Sequence, residues 1–504
     1  MKASLLTLLI GILGFTYPKA QNDIPIIQSE VLDNENTQLT NSLLEADSTG
    51  YYVLRFEKKM NAVEIEHYDT NLVLVKKYPV TEGQRPYAGV LTMKKKWYLL
   101  CFNYKKNEEK KIFEQVSLFA NVISRKTFRL EKDSITLIRP FKMESKSYRG
   151  NFTTSPDDSK ILVYDYEEDD EVDHIKGLTD KINLRVFDSR LQLLWERKVH
   201  LGPVDKTRRM VVIKKLRVSN EGEVAILTDI FRDKRSYEIK EITADPTLFF
   251  VGKEREKFSR YTPSLGNYYY NQLNFTFDDE GNVIWFGFYS RQRYYQQAGV
   301  FYIKINKNRT KVLVKKQHTF QKEYLMEIMS RRRMPKMIEP RAYKLVHWHR
   351  SAEGDITISA EYQPHGVYNF KSHGVMLIKM DNLGEIVWKR YVYKSANYAQ
   401  KFRKFLSHYL FVQDGNTYMV YNNGIYPSGF ARIIRIDSEG RMRRRIFLLY
   451  QNQNELYIPA LSRVLSRNRL FLGLEDRFFQ SYCFGVLDYA KIFESDSDRA
   501  NATP

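Results

Sequence analysis

The sequence predicts an all-β protein, a single ring of eight four-stranded antiparallel units. Three observations predict it. Past residue 40 the chain reads as short apolar or alternating segments divided by turn residues, with little helical periodicity. A strand–turn–strand unit centred on Asp or Asn recurs about every 50–75 residues. A second ladder of tight turns interleaves with the first, so each period holds two hairpins.

The elements follow in chain order. Met1 and Lys2 give a short positive start, and residues 3–16 are apolar or small. That stretch is too short for a comfortable membrane span and reads as a secretory signal, residues 1–20, cleaved after Ala20. The expected address is the periplasm or the cell surface. Residues 21–40 form a polar N-terminal segment with few strand signals. The first turn ladder is clearest at Asp188, in Val186-Phe187-Asp188-Ser189-Arg190-Leu191, and at Asp381, in Met380-Asp381-Asn382-Leu383-Gly384. Weaker copies turn at Asp69, Asn306 and Asp437, and spacing nominates Asn121, Asp245 and Asp488. The second ladder turns near Gly50, Lys95, Asp158, Gly222, Gly281, Gly354, Gly415 and Arg467. Gly, Asn and Asp suit these points because tight hairpins require positive φ. Four-stranded units of this length that repeat radially make a β-propeller. It is expected over residues 41–493 with eight blades, seven being the alternative count, and residues 494–504 form a tail.

Composition limits the classes open to this chain. It has 504 residues, a formal net charge of +20, 14% aromatic residues and two cysteines. The apolar content excludes a wholly disordered chain, and two cysteines exclude a disulfide-dense scaffold. No later stretch is long and apolar enough for a multi-span membrane protein. Cys101 falls in blade 2 and Cys483 in blade 8, with blade 1 between them, so both are expected as buried, reduced thiols.

The unit apolar-x-D-x-x-G-x-x-x-W resembles the repeat of the PQQ-like propellers, which include an eight-bladed outer-membrane assembly lipoprotein. Asp188 with Trp195 and Asp381 with Gly384 and Trp388 carry the likeness. The Tyr-, Lys- and Asn-rich style behind such a leader resembles exported proteins of Bacteroidota. The resemblance implies the fold and little about activity. Many quinone-dependent dehydrogenases of that group carry adjacent cysteines, and this chain has no such pair, so neither that activity nor a cofactor is expected. Trp195, Trp285 and Trp388 are expected to pack between blades.

With strands lettered A to D from the axis outwards, the A–B and C–D turns share one face. The B–C loops and the connections between blades share the other. The long segments 167–180, 246–270, 289–298, 318–342, 361–373 and 393–403 are all assigned to that second face, where binding is expected. Glu167 to Asp173 make an acidic lobe. Arg291, Arg293, Arg331, Arg332, Arg333, Lys336, Arg341, Lys394, Lys401 and Arg403 make a basic field over blades 5 to 7. Its expected partner is a protein or an anionic envelope polymer, and export argues against nucleic acid. Residues 324–330 read as a short helix with Leu325, Ile328 and Met329 on one face, packing over the channel mouth or serving as a docking element.

Chemistry leaves few marks. His347, His349, His365 and His373 are the one histidine cluster, expected as hydrogen-bonded residues and not as a metal site. The acidic run lacks a calcium-loop pattern. There is no phosphate loop with GK[ST], no HExxH and no GxSxG. The leading expectation is an exported, non-enzymatic binding or scaffold protein. The alternative is an enzyme acting on polysaccharide or peptide at the channel mouth.

Overall fold

Tight turns set this architecture, and their geometry repeats. In nine hairpins a turn residue i accepts the N–H of residue i+3, which sits at positive φ. On the C–D side these pairs are Asp69/Leu72, Asp188/Leu191, Asn306/Arg309, Asp381/Gly384 and Asp437/Gly440. On the A–B side they are Ser155/Asp158, Ser219/Gly222, Asp278/Gly281 and Ser351/Gly354. The aspartate is used because its Oδ1 accepts two further N–H groups, at i+2 and i+4. Asp188 does so from Arg190 and Gln192, and Asp381 from Leu383 and Glu385. The residue at positive φ breaks the pairing register just beyond the turn, a bulge that adds twist.

A computed structural model describes residues 26–28, 32–33, 42–57, 62–81, 87–93, 96–107, 112–145, 150–166, 181–202, 210–231, 245–254, 259–291, 297–330, 343–362, 369–372, 374–394, 396–399, 405, 407–424, 429–449, 455–466, 468–476 and 481–493. The expected signal segment lies outside them. The strands form eight four-stranded antiparallel sheets, so the protein is an eight-bladed β-propeller. Blades 1 to 7 span residues 42–81, 87–145, 150–200, 210–261, 269–319, 343–392 and 408–449. Each runs A-B-C-D in sequence order. Strands A of blades 3 to 8 each touch strand A of the next blade, and strand A of blade 8 touches that of blade 1, which places them at the axis. Strands D are outermost and wet, as the alternating exposure of Leu193–His200 shows.

Blade 8 is composite. Its strands A to C come from residues 455–488, and its fourth from the N-terminal segment. Ile26–Gln28 pairs with Ser481–Asp488, placing Ile26 opposite Leu487, and Leu32–Asp33 pairs with the same strand. After Asp488 the chain enters one helical turn at 489–493, so the C–D turn expected there does not form.

Two other nominated turns are corrected. Asn121 lies inside strand C of blade 2 (Ile112–Ile123), and the chain turns at Ser124 with Phe128 at positive φ. Asp245 begins strand C of blade 4 (Asp245–Val251) and so stands at the opposite end from its turn. Segment 246–270 is therefore no long loop. It contains that strand and the short strand D, Ser259–Tyr261. The A–B turns near Gly50, Asp158, Gly222, Gly281, Gly354 and Gly415 fall between strands A and B, where the sequence places them, and Lys95 and Arg467 lie outside the described residues.

Apolar clusters fill the wedges between successive blades. Trp285 is fully buried with Tyr261 and Tyr270 edge-on to it. The tryptophan seven residues past the turn aspartate packs on a turn glycine of the next blade. Trp195 Nε1 donates to Gly222 O at 3.1 Å, and a Cβ on Gly440 would lie 2.7 Å from Trp388 Cβ. Cys101 is buried in the wedge between blades 1 and 2, Cys483 in that between blades 7 and 8, and neither forms a disulfide.

Candidate functional site

The two faces differ. The turn face is a set of similar short hairpins, tied from blade to blade. His318 Nε2 lies 2.7 Å from Gly384 O, Arg390 Nε donates to Gly440 O at 2.5 Å, and Arg350 forks onto Asp279 at 2.9 and 3.1 Å. The opposite face carries elements that belong to no blade. Helix α1 (Lys322–Ser330) links blades 5 and 6. A two-stranded sheet, Asn369–Ser372 with Ala396–Ala399, joins the B–C loop of blade 6 to the chain leaving that blade.

Helix α1 matches the expected short helix, but not the expected place over the channel mouth. It lies against the outer strand of blade 6. Tyr324 and Ile328 are buried there with Phe320 and Tyr391, and the Tyr324 hydroxyl donates to Arg390 O at 3.3 Å. Leu325 packs on the same cluster, and Met326 on the other side is exposed.

Of the expected basic patch, Arg291 is described. It is exposed, just past strand B of blade 5 (Val283–Ser290), at the loop-face end. Arg293, Arg331, Arg332, Arg333, Lys336, Arg341, Lys401 and Arg403 lie outside the described residues, as do the acidic lobe, His365 and His373. Lys394 does not belong to the surface field. Its ammonium is fully buried and bonds Glu361 Oε1 at 2.5 Å and Ser407 O at 3.1 Å.

That lysine is the key to a sealed polar cluster between blades 6 and 7, at their loop-face ends. Glu361 is the penultimate residue of strand B of blade 6 (Ile356–Tyr362), Lys394 follows strand D, and His408 opens strand A of blade 7 (His408–Gln413). His408 Nδ1 lies 3.5 Å from Glu361 Oε2, and its Nε2 lies 2.8 Å from Ser359 Oγ. The His347 ring meets the His408 ring edge-on at 4.8 Å. Burial disfavours charge on His347 and, with His408 beside it, pushes its pKa down to about 4. Burial opposes ionisation of Glu361, but the Lys394 ammonium and His408 overcome it and hold the carboxyl at about 2. Burial likewise lowers the pKa of His408.

Serine on histidine on carboxylate is the connectivity of a hydrolytic relay. Here it has no access. Ser359, Glu361, His408 and Lys394 are at most 1% exposed, and Ser359 donates its proton to His347 O. The cluster fastens two blades beneath the loop face. Sequence reasoning found His347 but grouped it with His349, His365 and His373, and missed His408. The available signal was Glu361 itself, a carboxylate at the end of an otherwise buried strand. Among the described residues no group of three His, Cys, Asp or Glu is placed to hold a metal.

Further polar ties stiffen this end of the wheel. Gln272 and Gln297 on blade 5 both donate to Tyr343 O on blade 6, at 2.6 and 2.5 Å. Asn422 on blade 7 donates to Phe405 O and to Tyr457 O on blade 8, at 2.9 and 2.7 Å.

No family model and no curated protein matches this chain. Among solved structures it is similar to the dihydro-heme d1 dehydrogenase NirN in complex with DHE, at 9% identity and a TM-score of 0.41, over 92% of this chain and 78% of that one. It is similar to the WD40 domain of SCAP from fission yeast, at 8% identity and 0.39, over 91% and 98%. It is also similar to oligopeptidase B from Leishmania major, at 8% identity and 0.40, over 88% of this chain and 54% of that one, about half of that protein's length.

Proposed function

We propose that this protein is an exported binding scaffold that recognises a protein or an anionic envelope polymer through the loop face of blades 5 to 7. The observation that carries the reading is the asymmetry of the faces. One face repeats one turn geometry in nine of its hairpins, while helix α1 and the Asn369–Ser372/Ala396–Ala399 sheet stand on the other, over polar ties between blades 5 and 6 and blades 7 and 8. Variable elements on a rigid base are how a propeller gains specificity. The sealing of Ser359 supports binding over hydrolysis at this end. The basic residues of segments 289–298, 318–342 and 393–403 supply the charge for an acidic partner. The leader-like residues 1–20 supply the case for export.

The test is affinity capture from envelope extract with three chains. These are wild type, an Arg331/Arg332/Arg333→Glu variant, and an Arg441→Glu variant altered on the turn face, where Arg441 is exposed. The reading expects one partner retained by wild type and Arg441→Glu and lost by the triple variant. Identical capture by all three, or loss with Arg441→Glu alone, contradicts it.

A further inference from the structure

Among the described residues, the inner edge of blade 5 holds two cations that no carboxylate answers. They come from strand A of blade 4 (Met210–Val218), whose Leu216 and Val218 pack toward blade 3. Alternation along the strand turns Lys215 and Arg217 toward blade 5. Lys215 Nζ donates to Asn274 Oδ1 on strand A of blade 5 (Tyr269–Phe277) at 3.0 Å. That same oxygen accepts the Phe275 N–H at 2.9 Å, which folds the Asn274 amide back on its own strand. The Arg217 guanidinium lies 5.3 Å from the ring centre of Trp348, on strand A of blade 6 (Tyr343–Arg350). A side chain of blade 4 reaches blade 6 only past the inner edge of blade 5, because farther out that sheet stands between them. Both cations therefore lie along the wall of the central channel.

Three other buried cations are each matched by a carboxylate. Arg185 pairs with Asp165, Arg309 with Glu223 and Lys394 with Glu361. Among the described residues Lys215 and Arg217 have no ion pair, and Arg217 Nε is buried without an acceptor. Burial, with Arg217 beside it, pushes the Lys215 amine down to about 8, and burial lowers the Arg217 pKa too. Two like charges drawn out of water without a counter-ion cost free energy, and a bound anion removes that cost. Neither side chain is sealed, so a solute in the channel can reach both.

We propose that Lys215 and Arg217 form an oxyanion site in the channel wall that takes the phosphate group of a small phosphorylated molecule. Arginine offers a planar fork for two oxygens and lysine a point charge, a combination that fits a dianion better than a single carboxylate. Trp348 holds the guanidinium in place by a cation–π contact.

The test uses the full chain, inorganic phosphate as probe, and the rate at which trinitrobenzenesulfonate labels Lys215 at pH 8, read by peptide mass spectrometry. At ten times its Kd, phosphate slows labelling about tenfold, the factor 1 + [L]/Kd. Sulfate gives the same protection, and potassium chloride at equal ionic strength does not. Arg217→Gln weakens phosphate protection about tenfold or more, as loss of a charged hydrogen-bond donor does, and Arg441→Gln on the turn rim leaves it unchanged. Labelling of the wild type at one rate with and without phosphate overturns the site. So does equal protection by chloride, or protection that survives Arg217→Gln.

Discussion

The Tyr482 hydroxyl of the last blade donates to the carboxylate of Glu66 in the first, at 3.3 and 3.4 Å from its two oxygens. Glu66 is fully buried, and Tyr68, Arg55 and Lys77 satisfy the same carboxylate at 2.8, 3.3 and 3.2 Å. Around it Tyr51, Val53 and Leu72 of blade 1 pack with Phe471, Phe484 and Val486 of blade 8. A ring has one seam that chain continuity does not make, and this cluster closes it together with the N-terminal strand.

Glu66→Ala is therefore expected to cost about 3–5 kcal/mol, because it leaves the Arg55 cation in the seam without its buried partner. Tyr482→Phe, which removes one hydroxyl, is expected to cost about 1 kcal/mol. Urea denaturation of both variants checks this. A Glu66→Ala midpoint equal to wild type would show that the seam does not hold the ring.

Acid should loosen the interface of blades 6 and 7. His347 titrates at about 4 in the fold against an ordinary 6.5, so the folded state binds fewer protons than the unfolded one between those values. Its contribution is whole above pH 6.5 and is lost as pH falls toward 4, by roughly 3 kcal/mol. Glu361, held at about 2, acts in the same direction below its ordinary 4.5. Denaturation midpoints from pH 7 to 4 should fall in wild type and fall less steeply in His347→Gln. A flat wild-type profile would contradict the burial of this cluster.

Leucine at positive φ is strained, yet Leu191 has φ 62° and is buried beside Tyr98 and Phe187. Leu191→Gly relieves about 1–2 kcal/mol of backbone strain and forfeits about 2–5 kcal/mol of packing, so a net loss is expected. Asp158 takes the same turn position exposed, and Asp158→Gly should stay within about 0.5 kcal/mol of wild type. Thermal or urea midpoints of the pair decide the matter, and a stabilised Leu191→Gly would mean that strain outweighs packing there.

The same turn position explains what the sequence revealed and what it hid. Gly222, Gly281, Gly354 and Gly415 mark their turns because glycine reaches positive φ at little cost. Blade 2 turns one residue longer, with Phe128 at positive φ four residues past Ser124 and carrying no such mark, so spacing alone chose Asn121, three residues early. Blade 8 has no C–D turn to find, because its fourth strand arrives from the other end of the chain. Three residues cannot advertise a strand by alternation, so Ile26–Gln28 was illegible in a polar segment. The sealed cluster was harder still. Glu361, Lys394 and His408 come from three elements, and only the wheel brings them together.

The wheel closes through its N-terminal strand. Disulfide trapping across the N-terminal closure tests it most directly. In a Cys101→Ser/Cys483→Ser background, Ile27→Cys/Val486→Cys joins two residues that face each other in the strand register. Closure predicts near-complete crosslinking under mild oxidation and a raised urea midpoint. A pair that stays reduced while the protein remains folded would contradict it.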